Sequence, residues 1–414
     1  MRVKQTLLQY RGETIFTVSN IVTSIVSLLS AVIAAAFVEP EDLGAIQAVF
    51  LVSTYVSFLH LGVFNGLNRN LAFYKAKGEL EKAQKEVDTS HTVSLVVAAI
   101  GFIVGCVVLG INIAKGMSGA YIWGSVFLIF SLVLQPLTNH IECTYRSGQE
   151  FERLGKLKIW QAVVFFVVSF LPAVLDYVGR VIAQIINLIV GYVQKLFRQP
   201  YKSRSWGDKE SLKDLISTGA PLLISGYIWS IFVVADKTYI ATALSSRDLG
   251  LYTISGYCIT LMMVIPGALN TLLYPKAATR YGQTGDKTSL QGFWKKSLII
   301  FSLVIFPFCF IAYIVLPYVV EWLMPKYTGG IQAARISLLT CATFVSMGPS
   351  VIFGTLKKNI GNIIAISCSL GLFWLVVSLW GDLFCTIERV ALLRFALSFL
   401  LMIFHIVYSY ILIR

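Results

Sequence analysis

The sequence predicts an all-α polytopic membrane protein with about twelve transmembrane helices in two six-helix lobes. Composition is the first of three observations behind this prediction, because the 414 residues are 57% hydrophobic and 13% charged. Soluble domains have about 45–50% apolar and about 25% charged residues. The other two observations are the spacing of the apolar runs and the alternation of basic loops between them. Since one span takes about 20 residues, the sequence leaves no room for a soluble catalytic domain.

Apolar runs separated by short polar segments give the positions of the predicted spans. The spans lie at 15–38, 46–66, 92–113, 120–141, 159–175, 178–194, 215–241, 250–273, 294–317, 331–352, 360–380 and 390–412. The first run contains Ala34-Ala35-Ala36, which is similar to the cleavage site of a signal peptide. It is longer than the about 7–15 apolar residues usual in such peptides, so we expect it to be retained as the first span.

Charged residues at span ends leave two local questions open. Pro172, Asp176 and Arg180 mark either a tight hairpin between two spans or one broken pair of helices. Glu142 and Arg146 stand four residues apart, a spacing that allows an ion pair along one helix.

Most of the 34 Lys and Arg residues fall on one side of the predicted membrane, before odd-numbered spans and after the last one. The positive-inside rule places that side, with both termini, in the cytoplasm. The formal net charge of +13 therefore reflects topology, and no nucleic acid partner is expected. Seven scattered cysteines without CxxC spacing indicate buried apolar side chains, so neither a metal site nor a cofactor is predicted.

A short repeat relates the two halves of the chain. Glu41-Asp42-Leu43-Gly44-Ala45 corresponds to Arg247-Asp248-Leu249-Gly250-Leu251, and each copy follows the first span of its half. Two six-span halves in the same orientation form a parallel repeat, an architecture of alternating-access transporters in which the substrate path lies between the halves. We therefore predict lobes at 1–194 and 215–414, joined by a cytoplasmic linker at 195–214.

Asp236 and Lys237 lie well inside the predicted seventh span, where an ionisable residue indicates a functional site because a charge in hydrocarbon is costly. Adjacent residues on a helix do not face each other, so the two cannot simply neutralise one another. Helical spacing puts Phe232, Trp229 and Ser225 on the Asp236 face, and aromatic rings beside a carboxylate suit sugar recognition. The alternative is an aromatic packing stripe with a structural ion pair between helices.

The second span carries a polar face, which must meet protein or water because lipid cannot satisfy it. The residues on this face or beside it are Ser53, Ser57, His60, Phe64, Asn68, Asn65 and Arg69. His60 is either a packing histidine or a proton-coupling group, and Arg69 is either a topological charge or a substrate contact. In the eighth span, Asn270 belongs to a second polar face, and Pro266 is expected to kink the helix.

Three segments resemble the polysaccharide transporter family of the multidrug/oligosaccharidyl-lipid/polysaccharide (MOP) flippase superfamily. Asp236-Lys237-Thr238-Tyr239-Ile240, followed by Ser246-Arg247-Asp248-Leu249-Gly250-Leu251-Tyr252, is similar to the family's seventh-to-eighth-span region. The segment Leu61–Ala72 resembles the end of its second span. The resemblance implies a flippase, not an enzyme. It would move undecaprenyl-pyrophosphate-linked oligosaccharide, such as an O-antigen repeat unit of lipopolysaccharide, to the periplasmic leaflet of the bacterial inner membrane.

The resemblance also implies partners and a substrate cavity. The expected partners are the lipid-linked oligosaccharide, membrane lipids, an H⁺ or Na⁺ coupling ion, and the polysaccharide polymerase and chain-length machinery. The candidate cavity residues are Asp236, Lys237, Trp229, His60, Asn65, Asn68, Arg69 and Asn270. A rival function is a cation-coupled multidrug exporter of the same superfamily, which the absence of a carboxylate from the first span disfavours. Another is an O-antigen polymerase-type enzyme, which the short outside loops disfavour.

Overall fold

The computed structural model describes the backbone of residues 2–414, and the side chains of residues 12 and 14–414 except 268, 271, 272 and 275. This part of the chain is helical and contains no β-strand. Its α-helices are α1 Arg2–Phe37, α2 Pro40–Val56, α3 Val63–Lys77, α4 Leu80–Ala114, α5 Gly119–Ser147, α6 Phe151–Val168, α7 Pro172–Leu196, α8 Lys209–Ala243, α9 Ser246–Thr284, α10 Gln291–Leu323, α11 Ile331–Ala342, α12 Met347–Thr355, α13 Ile360–Leu379 and α14 Ile387–Ile413. Short 3₁₀ turns connect several of them.

Within the described residues, 11 helical segments are long and apolar enough to cross a membrane. The predicted all-α polytopic fold is confirmed. The predicted fifth span, 159–175, is wrong as a single helix, because α6 ends at Val168 and α7 begins at Pro172. Proline suits the first turn of a helix, where its missing N–H would have no partner, and it restricts the residue before it. A further kink follows at Asp176, whose φ of 50° is not helical.

The predicted second span, 46–66, is also interrupted. Helix α2 ends at Val56, a 3₁₀ turn covers Ser57–His60, and α3 begins at Val63. Between them Leu61 and Gly62 both have positive φ angles, of 48° and 85°. Gly62 lies so close to another part of the backbone that an added Cβ would stand 2.4 Å from the carbonyl carbon of Gly219. Only glycine accommodates both the left-handed conformation and this approach.

The first compact unit consists of the residues up to Val38 together with Ala45–Tyr227. In this unit α1 packs on α6, and α5 packs on α4 and α7. Buried side chains from α3, α4, α5 and the start of α8 form one of its core clusters. The members of that cluster are Val63, Phe64, Leu67, Leu71, Ala83, Val87, Cys143 and Leu215.

The second compact unit consists of Glu39–Gly44 and Ile228–Arg414. Here α9 packs on α11 and α12, and α14 packs on α11 and α13. One of its core clusters is formed by Met262, Phe301, Ile305, Cys309, Cys341, Phe344 and Val345. The 3₁₀ turn Thr343–Ser346 separates α11 from α12, so the predicted span 331–352 is two short helices rather than one.

The two copies of the sequence repeat contact each other within this second unit. A Cβ on Gly44 would stand 1.8 Å from the Ser246 carbonyl oxygen, and a Cβ on Gly250 would stand 1.7 Å from the Pro40 carbonyl oxygen. Pro40 and Ser246 occupy the same position in the two copies, as do Gly44 and Gly250. The contact is therefore symmetric, like an isologous interface between subunits. It depends on the missing side chain of each glycine.

Candidate functional site

A polar cavity of about 80 Å³ lies within the first unit. Four residues of the predicted polar face of the second span line it together with side chains of α4 and α5. The lining residues are Ser53, Val56, Ser57, His60, Phe64, Val97, Leu132, Gln135, Pro136 and Asn139. The break after His60 lies beside this cavity, so residues from both sides of the break contribute to its wall.

The cavity combines hydrogen-bonding groups with one aromatic ring. The Nδ1 atom of His60 accepts a hydrogen bond from the Gly62 N–H at 3.1 Å, which leaves Nε2 as the donor of a neutral ring. The rings of His60 and Phe64 lie 4.8 Å apart. Gln135 and Asn139 add amide groups, each with donors and an acceptor. Mixed donors and acceptors beside an aromatic ring are chemically suited to a polyhydroxylated ligand.

The remaining candidates of the second-span region lie beyond the helix break, outside this cavity lining. The main-chain oxygen of Asn68 accepts a hydrogen bond from the Ser147 hydroxyl at 3.1 Å. Arg69 is exposed, and its guanidinium donates to the Thr218 hydroxyl at 3.4 Å. Asn65 is half-buried at the start of α3. The structure therefore separates His60 from Asn65, Asn68 and Arg69.

In the second unit Asp236 is buried, with 1% of its surface exposed. Its carboxylate accepts a hydrogen bond from the Tyr252 hydroxyl at 2.8 Å. The buried guanidinium of Arg394 lies 3.8 Å from the centre of the Phe232 ring, donates to the Phe232 carbonyl and is attracted by the charge of Asp236. The cluster thus joins α8 to α9 through the Asp236 carboxylate and α8 to α14 through the Phe232 carbonyl. These contacts satisfy Asp236 inside the helix bundle, and its role in substrate binding stays a prediction.

The neighbours of Asp236 on α8 have different surroundings. The Lys237 ammonium lies over Gly256, where an added Cβ would be only 2.7 Å from it. Trp229 packs on Phe232, with ring centres 5.9 Å apart, at the edge of a buried apolar cluster. On α9, Asn270 has a buried side-chain oxygen for which the described residues provide no hydrogen-bond partner.

Replacing Tyr252 with phenylalanine tests whether Asp236 depends on this cluster. We expect the free energy of unfolding to fall by about 1.5–3 kcal/mol, because the buried carboxylate loses a hydrogen bond to a charged group. Thermal unfolding in detergent micelles measures the change. The matched control is Tyr318→Phe, at a tyrosine that is 70% exposed. Equal stability of the two variants would show that the Tyr252 hydroxyl contributes nothing to the fold.

A second buried polar cluster, which the sequence patterns did not indicate, lies in the first unit. Lys195 of α7 is 3% exposed, and its ammonium lies 2.8 Å from the Glu142 carboxylate of α5. Lys158 of α6 approaches the other oxygen of Glu142 at 3.5 Å. Gln161 accepts a further hydrogen bond from Lys195 at 3.2 Å. Glu142 therefore makes its ion pairs with two lysines of other helices, whereas its spacing to Arg146 had only allowed a pair along α5.

Outside the spans, a hydrogen bond joins Tyr74 of α3 to Asp214 of α8 at 2.6 Å. This bond to a carboxylate is the main reason why the pKa of Tyr74 is raised to about 12. Tyr74 therefore stays protonated at physiological pH and acts as a fixed donor between the two helices.

Comparison with known proteins assigns the chain to a family. The model of a family described as polysaccharide biosynthesis protein matches residues 33–327, which is more than half of the chain. A search of curated protein sequences finds no significant match.

Solved structures with a similar fold are MOP-superfamily transporters. An inward-facing multidrug resistance MATE family transporter has a TM-score of 0.74 at 14% identity, over 94% of each chain. A MOP-superfamily transporter from Pyrococcus furiosus, described as having a binding pocket of reversed polarity, has a TM-score of 0.67 at 16% identity, over 98% of this chain and 96% of that one. At such identities the likeness establishes the fold alone. By its family match this chain belongs to the polysaccharide biosynthesis proteins, and it has the multi-pass membrane fold of the MOP superfamily.

Proposed function

We propose that this protein is a flippase for undecaprenyl-pyrophosphate-linked oligosaccharide repeat units of O-antigen or a related surface polysaccharide. It would carry them across the bacterial inner membrane by alternating access. The observation that carries the proposal is membership of the polysaccharide biosynthesis family by a chain with a MOP transporter fold. A surface polysaccharide whose units are assembled inside the cell needs a membrane step, because a sugar chain cannot cross hydrocarbon unaided.

The cavity of the first unit supports this proposal. Its His60, Gln135 and Asn139 side chains can donate to and accept from sugar hydroxyls, and Phe64 offers an aromatic surface. Polar side chains at membrane depth must meet protein or water, so a cavity among the helices is where a polar substrate part would be accommodated. Its volume of about 80 Å³ has room for several water molecules, so a sugar would displace water and widen the cavity.

The proposal has consequences for direction and energy. The termini would lie in the cytoplasm, as the positive-inside rule predicts. Repeat units would enter from the cytoplasmic leaflet and leave toward the periplasm, where the polysaccharide polymerase and chain-length machinery would use them. An H⁺ or Na⁺ gradient, or removal of the product, would drive transport. The rival is a cation-coupled multidrug exporter of the same fold, for which the substrate would be an amphiphilic drug instead of a lipid-linked sugar.

Deleting the gene in its native host tests the function directly. We expect long-chain surface polysaccharide to disappear from gels while lipid-linked single repeat units accumulate on the cytoplasmic side. The wild-type gene should restore long chains. Normal polysaccharide in the deletion strain would contradict the proposal and favour the exporter. Units that reach the periplasm without being polymerised would point to the polymerase.

Complementation with point variants then tests the residues. His60→Ala and Asn139→Leu are each expected to lower long-chain polysaccharide by about tenfold, the ratio that corresponds to one lost interaction of about 1.4 kcal/mol. Arg69→Ala tests an exposed arginine outside the cavity lining. Asp236→Asn tests the buried carboxylate in the same way. The matched control is Asp382→Asn, at an exposed aspartate of the same unit as Asp236. Membrane levels of each variant, measured by immunoblot, separate loss of transport from loss of folding.

A further inference from the structure

A second and larger cavity, of about 730 Å³, lies between the turn that joins α3 to α4 and the segment that follows α7. It is distinct from the polar cavity around His60, with which it shares no lining residue. The residues that matter for its chemistry are Lys75, Leu80, Gln84, Tyr201, Lys202 and Arg204. All of them belong to the first compact unit.

The segment that forms one wall of this cavity is held firmly to α4. The carboxylate of Asp88, only 3% exposed, accepts hydrogen bonds from the Arg204 N–H at 2.8 Å and from the Ser205 hydroxyl at 2.7 Å. The Gln84 amide donates to both Asp88, at 2.8 Å, and the Lys202 carbonyl, at 2.9 Å. The backbone of residues 202–205 is therefore fixed by a buried group, and the cavity wall is preformed.

The segment after α7 stays close to α4 beyond residue 205. The Gly207 N–H donates to the Thr92 hydroxyl at 2.9 Å, and a Cβ on Gly207 would stand 2.6 Å from the Cα of Thr89. If this segment were only a flexible linker between α7 and α8, it would need neither a glycine at a close backbone contact nor a buried carboxylate that fixes it. The segment from Lys202 to Gly207 is thus built onto α4 as part of the fold.

The charge of the cavity is unbalanced. Among the described residues, three cationic side chains line it and no carboxylate does. The nearby lysines Lys82 and Lys85 are already paired with Glu79 and Glu81. Lys75 lies over the Tyr201 ring at 5.7 Å, while Lys202 and Arg204 are exposed and form no ion pair within the described residues. The Asp88 carboxylate lies behind this wall, and its oxygens are occupied by the bonds that hold the backbone.

We propose that this cavity binds a phosphate-bearing anion. Arg204 can form a paired, charge-assisted hydrogen bond to phosphate oxygens, and the lysine ammonium groups add point charges around it. Leu80, which is 66% exposed, and the Tyr201 ring give the cavity an apolar wall for the organic part of the ligand. The site is independent of the proposed transport function, because it uses other residues and makes no assumption about the substrate.

Two sources of phosphate are compatible with the position of the cavity. One is the head group of an anionic phospholipid, since candidate spans end at Leu196 and begin at Lys209 on either side of the segment. Basic residues next to membrane spans attract anionic head groups, with exposed aromatic residues nearby as interfacial anchors. Trp206 and Phe197, at 77% and 78% exposure, are such residues. The other source is a free phosphate compound in the aqueous phase.

The test uses the full-length protein in nanodiscs and two double variants. Lys202→Gln with Arg204→Gln removes two positive charges from the cavity. Lys209→Gln with Lys213→Gln removes two from exposed positions outside its lining and serves as the matched control. Inorganic pyrophosphate is titrated by calorimetry in phosphatidylcholine nanodiscs. Thermal unfolding is compared between phosphatidylcholine nanodiscs and nanodiscs containing phosphatidylglycerol.

We expect one of the two experiments to show weaker binding or weaker stabilisation in the cavity variant but not in the control variant. A free-phosphate site would lower pyrophosphate affinity by about tenfold or more in the cavity variant only, as expected from losing two charge contacts. A lipid site would instead remove the stabilisation by phosphatidylglycerol in the cavity variant only. Equal behaviour of the two variants in both arms would overturn the proposal, because any binding would then be a general effect of surface charge.

Discussion

Replacing Gly250 with alanine is expected to lower the free energy of unfolding by about 3 kcal/mol or more, at the upper end of what overpacking costs. The new Cβ would stand 1.7 Å from the Pro40 carbonyl oxygen, far inside contact distance. Backbone atoms cannot rotate away as the end of a flexible side chain can, so helices α2 and α9 would have to separate. Thermal unfolding in detergent micelles, followed by tryptophan fluorescence, measures the loss.

The same helix supplies the control. Gly267 of α9 has open space where its Cβ would be, so Gly267→Ala should leave stability unchanged or raise it slightly. Gly44→Ala should resemble Gly250→Ala, because the two glycines take part in one symmetric contact. The double variant should then cost less than the sum of the two, since the first substitution already opens the contact. Full additivity would show that the two glycines act independently.

Replacing Glu142 with glutamine is expected to cost about 3–5 kcal/mol, the usual penalty for removing one partner of a buried ion pair. The loss would leave Lys195, 3% exposed, and the nearby Lys158 without their counter-charge. Repulsion between the two ammonium groups would add to the cost. Thermal unfolding of the purified protein measures it, and reduced membrane levels of the variant should accompany it.

An exposed pair of the same residue types provides the control. Glu152 and Lys156 lie 2.7 Å apart on α6, with the lysine side chain 63% exposed. Because solvent screens such pairs, Glu152→Gln should cost at most about 1 kcal/mol. Adding Lys195→Met to Glu142→Gln should recover part of the lost stability, because it removes an uncompensated buried charge. A Glu142→Gln variant as stable as Glu152→Gln would mean that water reaches the buried cluster.

The fold class could be predicted from the sequence because apolar spans and basic loops are local signals. The helix breaks could not. The interruption at Gly62 depends on the backbone of Gly219, more than 150 residues away, and no hydropathy window contains both. The break between α6 and α7 was easier to predict, since Pro172 marked its position. Proline alone, however, is compatible with both a hairpin and a kink.

The candidate residues were chosen because helical spacing places them on one face of a span. This prediction succeeded where one face of a single span lines a cavity. Ser53, Ser57, His60 and Phe64 line one cavity, as their spacing indicated. The surroundings of Asp236 could not be predicted, because Tyr252 and Arg394 come from other helices whose rotation one sequence does not fix. Lys195 was assigned to a loop by its charge, although it lies in α7 with its ammonium buried.

The symmetric contact of Gly44 and Gly250 also bears on how such a chain can arise. A motif that packs against its own copy is self-complementary. A polypeptide with a single copy of the motif can therefore form the same contact with an identical polypeptide. Two such polypeptides would meet through it as identical subunits. Joining them in one gene turns an association that depends on concentration into one that is always present. From then on the two glycines are inherited as a pair, since neither position can accept a side chain while the opposite helix stays in place.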